Sequence, residues 1–254
     1  MQIRGGIFDI DGVLLDTPHE QAWRMALDQL MSGSWQALRP QTTYVPGSFT
    51  SAVYQEYVAG KPRDAGAQAV LAFYHVPDPD GSRAREYAQM KQSILMRLAR
   101  QNDFHAYDDA LRFLLKVKAS GVRICAASSS ENADMFLREI AISAWLRAQN
   151  LSYPFVTPTT TLLDLFDADV DGWHVAHGKP NPDLYLTAAK QLGYPPAQCF
   201  VVEDAPAGIE AAKAGGMFGI GVARHHDEEL LRAAHADIVT PTLDAVDPAT
   251  LLGD

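Results

Sequence analysis

An apolar run that ends on two acids places the strongest constraint on this chain. Near the amino terminus Gly5-Gly6-Ile7-Phe8 leads into Asp9-Ile10-Asp11-Gly12-Val13. The run reads as a strand, about Arg4 to Ile10, and not as a helix. Side chains alternate along a strand, so Asp9 and Asp11 share a face if the strand runs on. Gly12 argues instead that it stops there and turns away. Two carboxylates aimed at one point repel each other, and burial makes this worse. A bound metal cation is the natural compensation. The plain alternative is a surface turn that happens to be acidic. The pattern also resembles the start of a calcium loop, but the next position such a loop needs is Val13, neither acid nor amide.

The 254 residues allow one large domain or two modest ones. With 47% hydrophobic and 20% charged residues, the composition is that of a globular protein. No apolar run is long enough to span a bilayer. No charged and then apolar leader precedes the first strand. Cys125 and Cys199 each sit in a β-like apolar run and are expected to be buried and reduced, and a cytoplasmic location follows. The net charge of −10, with no basic tract, argues against a nucleic-acid partner. An anionic substrate then needs a local cluster of cation and metal to overcome the global field.

From about Asp103 short apolar strands alternate with helices. Helices are expected at Tyr107 to Ala119, Glu131 to Ile140, Pro182 to Leu192, Ala205 to Ala214 and Asp227 to Ala234. Strands are expected at Val122 to Ala127, Cys199 to Val202, Met217 to Val222 and Asp237 to Val239. Such alternation implies an α/β fold with a parallel sheet covered on both faces. The stretch between the first strand and Asp103 reads as helical: His19 to Met31, Asp64 to Tyr74 and Ser82 to about Arg100, with an irregular, turn-rich piece from Ser32 to Phe49. The first strand pairs naturally into the later sheet. The expected organisation is therefore a discontinuous α/β core, residues 1–16 and 103–254, with a helical cap at 17–102. The segment Ser143 to Leu163 has no clear assignment.

Ligands of parallel sheets bind at the carboxyl ends of the strands. Four motifs fall there or just beyond: Asp9 with Asp11; Ser128; Gly178-Lys179-Pro180-Asn181-Pro182-Asp183; and Glu203-Asp204. Each alone has a plain structural reading. Ser128 or Asp204 can cap the following helix, and Lys179 can be a solvated loop lysine. Four on one sheet edge together make a site for phosphoryl transfer. Asp9, Asp204 and Glu203 can supply hard oxygen ligands to Mg2+. Ser128 and Lys179 can hold phosphate oxygens. One carboxylate can attack phosphorus and the other can carry the proton.

These motifs, in this order, resemble the haloacid dehalogenase superfamily of phosphotransferases. Phe8 to Thr17, Gly178 to Asp183 and Val202-Glu-Asp-Ala-Pro-Ala-Gly-Ile209 resemble its β-phosphoglucomutase-like branch. The resemblance implies a Rossmann-like core with an inserted helical cap. It implies Asp9 as nucleophile and Asp11 as acid/base, with Ser128, Ser129 and Lys179 binding phosphate. Magnesium would be held by Asp9, the main-chain carbonyl of Asp11 and Asp204, with Glu203 bound directly or through water. Dehalogenases and phosphonatases of this superfamily lack an acid at the place of Asp11, so phosphate-ester chemistry is implied. The substrate is then a small phosphorylated metabolite.

Gly60-Lys61-Pro62-Arg63-Asp64 resembles the cap loop of the mutases, where the arginine grips a distal phosphate. Ser130 and Asn132 match further distal positions, and His19 and Trp23 match residues near the hinge. Between Ser130 and Asn132, however, stands Glu131 where those mutases carry lysine, and an acid there repels a distal phosphate. The expectation is a phosphatase of a small sugar or polyol phosphate, with a sugar phosphomutase as the alternative and a non-catalytic phosphometabolite binder as a remote one. His225-His226 reads as loop, His174 and His177 carry no assigned role, and Gly178-Lys179 lacks the remaining elements of a P-loop.

Overall fold

The computed structural model describes residues 3–101, 103–171 and 175–252. Its centre is a six-stranded, all-parallel sheet in the order β5-β4-β1-β6-β7-β8. The strands are β1 (Gly5–Phe8), β4 (Arg123–Ala127), β5 (Ala168–Val170), β6 (Cys199–Glu203), β7 (Phe218–Val222) and β8 (Ile238–Thr240). β1 lies between β4 and β6, with Ile7 opposite Cys125 on one side and Val201 on the other. It is buried on both faces, which is why its sequence is a continuous apolar run. Phe8 meets Phe200 and Phe113 edge-on at 5.7 and 6.1 Å beneath the sheet.

The helices α5 (Asp108–Ala119), α6 (Ala133–Glu139), α7 (Ile142–Ala148), α8 (Asp183–Leu192), α9 (Pro206–Ala214), α10 (Glu228–Ala233) and α11 (Pro248–Leu252) follow in chain order. Between β1 and α5 lie α1 (His19–Ser32), α2 (Ser51–Tyr57), α3 (Arg63–Phe73) and α4 (Ser82–Ala99). The chain enters and leaves this helical insertion through two short strands, β2 (Leu15–Asp16) and β3 (His105–Ala106), which pair antiparallel.

Most expected elements match within a residue or two. β1 ends at Phe8, two residues short of the expected end, so Asp9 and Asp11 sit in the turn beyond it. Among the named elements, α2, α7, α11, the two short strands β2 and β3, and β5 have no counterpart in the sequence reading. The segment after Ile140 is an excursion that opens with α7 and is closed at its base by a bridge between Ala141 and Thr161. It contributes none of the residues that line the cavity described below. Cys125 and Cys199 are free and buried. No helix among the described residues is long and apolar enough to cross a membrane.

Candidate active site

The sheet order brings three strand ends together. Asp9 follows β1, Ser128 follows β4, and Glu203 closes β6 with Asp204 after it. Because β1 pairs with both β4 and β6, its acid lies between the serine and the acidic pair, at the place where connections leave in opposite directions. The Asp9 N–H donates to Val202 O at 3.0 Å, which fixes the first residue of the turn against β6.

Lys179, before α8, reaches into this edge with a fully buried side chain. Its Nζ donates to Asp9 Oδ1 at 2.5 Å and to Glu203 Oε1 at 2.5 Å. The Tyr185 hydroxyl also donates to Glu203 Oε1, at 2.7 Å, while Glu203 Oε2 accepts the Ala205 N–H at 2.9 Å. Both oxygens of Glu203 thus have protein donors. Glu203 fits here because of Gly208, where a Cβ would lie 1.7 Å from its Oε1.

Ligand oxygens of Asp9, Glu203 and Asp204 all lie within 4.8 Å of one another. One ammonium faces three carboxylates, which leaves an excess of negative charge among buried side chains. Burial raises Asp9 well above the usual carboxylate range; Lys179 opposes this, and Glu203 and Asp11 add to it. Burial likewise raises Asp204, reinforced by Glu203 and Asp9. For Lys179 burial acts downward, but Asp9 and Glu203 outweigh it and hold the ammonium protonated. Asp204 is only 5% exposed, yet no described residue donates a hydrogen bond to it. A buried carboxylate without donors, beside an excess of negative charge and an all-oxygen donor set, fits a hard divalent cation such as Mg2+. Asp204 accepts from no described donor and Asp9 keeps Oδ2 clear of one, whereas both oxygens of Glu203 are engaged.

Asp11 faces a different environment. Its Oδ1 accepts the Thr17 hydroxyl at 2.8 Å, and its Oδ2 lies 3.5 Å from Ser128 Oγ. His19 Nε2 is 3.7 Å from Asp11 Oδ1. The turn that separates the two acids requires Gly12: its φ is +86°, and a Cβ there would lie 2.0 Å from Asp204 Oδ2.

The loop after β4 joins the core edge to the insertion. Ser128 Oγ accepts the Ser130 N–H at 3.0 Å, and Ser130 Oγ accepts the Asn132 N–H at 3.2 Å. Ser129 Oγ donates to Gly60 O at 2.8 Å. Glu131 Oε2 accepts from Arg63 Nη2 at 2.8 Å, and Gln92 bridges Arg63 and Asn132 at 2.8 and 3.0 Å. Lys61 donates from Nζ to Tyr57 O at 2.7 Å, and burial lowers its pKa. All of these side chains except Tyr57 line one cavity of about 270 Å³, together with Asp9, Asp11, His19, Trp23 and Asp204. That size, just under the usual range for small-molecule sites, suits a small metabolite.

Trp23 is almost wholly buried in the insertion, its ring 4.9 Å from Tyr87. Lys91 stands over it, 5.2 Å from the ring, and contacts His19 Nδ1 at 3.1 Å. Burial pushes Lys91 down to about 7 and His19 down to about 4, the second with help from Lys91. His177 is exposed and lies 2.9 Å from Asp183; His174 is outside the described residues.

Thr17, Tyr54, Lys91, Gln92 and Tyr185 join the site without having been singled out from sequence. For Lys91 a signal exists: it occupies the buried stripe of α4 between Ala88 and Ile94, where an apolar residue is the rule. Tyr54, on α2, lines the cavity opposite the acids; burial, with Asp204 and Asp11 nearby, keeps its phenol protonated.

The profile of the haloacid dehalogenase-like hydrolase family matches residues 3–216. The β-phosphoglucomutase of Mycobacterium bovis is 32% identical over 95% of this chain and 90% of its own length. The fructose-1-phosphate phosphatase of Escherichia coli is 30% identical over 86% of this chain and 95% of its own. Among solved structures, the archaeal β-phosphoglucomutase of a Pyrococcus strain superposes with a TM-score of 0.68 at 27% identity, covering 98% of this chain and 97% of that one. With its parallel sheet, inserted helices and acidic strand edge, the chain belongs to the haloacid dehalogenase-like hydrolases, in their β-phosphoglucomutase-like branch.

Proposed function

We propose that this protein is a magnesium-dependent phosphatase of a small sugar or polyol phosphate, acting through a phosphoryl group carried on Asp9. The observation that carries the reading is the separation of two neighbouring carboxylates. Asp9 is held by an ammonium beside a metal-binding set, and Asp11 by the hydroxyl of Thr17 with Ser128 close by.

Asp9 attacks phosphorus through its free Oδ2, and the bond from phosphorus to the leaving oxygen breaks. Asp11 gives that oxygen its proton. Lys179, Ser128 and Ser129 hold the phosphoryl oxygens as charge spreads onto them. Water then attacks the phosphoryl-Asp9, Asp11 takes its proton back, and phosphate leaves. Magnesium, held by Asp9, Asp204 and the Asp11 carbonyl with Glu203 behind them, would neutralise the phosphate charge. Residues 17–102 act as a cap over the 1–16 and 103–254 core and exclude bulk water, with His19, Trp23, Lys61, Arg63, Ser130 and Asn132 facing the rest of the substrate. The buried, free cysteines suit a reducing, cytoplasmic setting.

Glu131 favours hydrolysis over mutase chemistry, because it neutralises the arginine that a second phosphate would need. The mutase reading keeps one support, the gathering of Arg63, Ser130, Asn132 and Lys61 in the cavity. The test is a panel of sugar phosphates incubated with protein and Mg2+, with free phosphate and isomerised product measured in parallel. Phosphate release without isomer is expected. Conversion of β-glucose 1-phosphate to glucose 6-phosphate, dependent on a bisphosphate primer, favours the mutase.

A further inference from the structure

A largely buried guanidinium sits directly behind the turn that carries Asp11. Arg224 follows β7, and its side chain is 10% exposed. Its Nε donates to Gly12 O at 3.3 Å and its Nη2 to Val13 O at 3.1 Å. Its Nη1 donates to Asp109 Oδ2 at 2.8 Å, and its Cζ lies 4.0 Å from the centre of the Tyr107 ring. Asp109, in the first turn of α5, is fixed in turn: the same Oδ2 accepts the Thr242 hydroxyl at 2.9 Å and the Leu243 N–H at 2.8 Å. Tyr107 donates its N–H to Leu14 O at 2.9 Å. Arg224 thus ties the Gly12–Val13 turn to the start of α5, and Asp109 ties both to the segment at Thr242 and Leu243.

The turn's other bonds run from N–H groups: Gly12 to Leu15 O at 2.8 Å, and Leu14 and Leu15 to Ile10 O at 2.9 Å each. The carbonyls of Gly12 and Val13 have Arg224 as their donor among the described residues. Unpaired backbone carbonyls away from solvent are costly, and these two are part-buried, so the guanidinium fork sets where their peptide planes point. Asp11 shares a peptide with Gly12, and Gly12 packs on Asp204. Rotation of those planes would move both the proton carrier and a metal-binding carboxylate.

We propose that Arg224, held by Asp109 and Tyr107, is a positioning residue for the phosphoryl-transfer centre, fixing the Gly12–Val13 turn and through it the aim of Asp11. This rests on the phosphatase reading of Asp9 and Asp11. A planar fork with three engaged nitrogens is not replaced by a lysine, so the two cations are distinguishable at this position.

The test uses the full chain with Mg2+ and p-nitrophenyl phosphate as probe, with amide hydrogen exchange read in parallel without substrate. Arg224→Gln is expected to lower kcat by about 100-fold, the scale of a misplacement near one ångström, with KM within about threefold of wild type. Exchange at Gly12, Leu14 and Leu15 is expected to speed up, while β4 and β6 stay protected. Arg224→Lys is expected to recover part of kcat. If Arg224→Gln does not fold, Asp109→Asn, which keeps the guanidinium but loosens its seat, is expected to give a smaller loss of the same kind with the same local exchange. A kcat within about twofold of wild type in the folded variant overturns the proposal; so does faster exchange throughout β4 and β6, which would make Arg224 an element of the fold alone. If the wild type hydrolyses no phosphate ester, the phosphatase reading fails, and the exchange at the turn still decides whether Arg224 sets it.

Discussion

Glu131 Oε2 lies 2.8 Å from Arg63 Nη2, so an acid on the core loop neutralises the cation that the insertion presents to the cavity. The side chains are 31% and 30% exposed, and a pair this solvated contributes about 1 kcal/mol or less to stability. Its consequence is electrostatic: a distal phosphate would meet no net positive charge from these two residues. Glu131→Gln is expected to leave phosphate release from a monophosphate little changed and to tighten inhibition by a sugar bisphosphate by about tenfold, or about 1.4 kcal/mol. Glu131→Lys is expected to tighten it further. Inhibition constants for the bisphosphate check both, and unchanged constants would remove Glu131 as the selector against a second phosphate.

Tyr185 donates to the carboxylate that seats Lys179. Tyr185→Phe removes one donor from a buried charged acceptor and is expected to cost about 1–3 kcal/mol of stability. Lys179 loses part of its orientation, so kcat is expected to fall by about tenfold, equivalent to about 1.4 kcal/mol in the barrier. Thermal melts and steady-state kinetics measure the two separately.

Burial pushes the Lys91 ammonium down to about 7. An unfolded lysine titrates near about 10.4, so between these values the unfolded chain binds a proton that the folded chain has released. Stability therefore rises with pH across that window, and below it the full cost of burying the charge is present. Lys91→Met is expected to raise the melting temperature most at pH 6, with the gain shrinking toward pH 10. A gain independent of pH would mean that packing, and not charge burial, dominates at this position.

Asp9 and Asp204 repel each other in the absence of a cation. Adding Mg2+ is expected to raise the melting temperature as ligand binding requires, by about 2.7 kcal/mol of stability at one hundred times its Kd. Asp204→Asn is expected to weaken that response together with turnover, and chelation of the metal is expected to stop phosphate release. Melting curves with and without Mg2+ test the binding independently of catalysis.

The sheet was legible because its interior strands are buried on both faces and so read as apolar runs. β5 was not, because Asp167-Ala168-Asp169-Val170-Asp171 lies at an edge, where acids are tolerated and three residues suffice. The core of the site was legible because Asp9, Ser128, Lys179 and the Glu203-Asp204 pair each fall at a strand end or a loop beside one. Which oxygens face which donors was not, since Glu203 accepts from Lys179, Tyr185 and Ala205 at once. The contacts of Arg63 with Glu131 and Gln92, and the approach of Tyr54, depend on how the insertion lies against the core, and no local pattern encodes that. By residue type alone the acids at 9 and 11 look alike; the family resemblance gives them different roles, and their neighbours in space differ, an ammonium at Asp9 and hydroxyls at Asp11.

The most direct measurement of the central claim is a rapid acid quench of wild-type protein turning over a radiolabelled sugar phosphate with Mg2+, followed by peptide mapping of the label. The expected result is label on the peptide containing Asp9, decaying as free phosphate appears, with none in Asp9→Asn. Full turnover by Asp9→Asn, or phosphate release with no labelled protein at any quench time even when hydrolysis is slowed by Asp11→Asn, would contradict it.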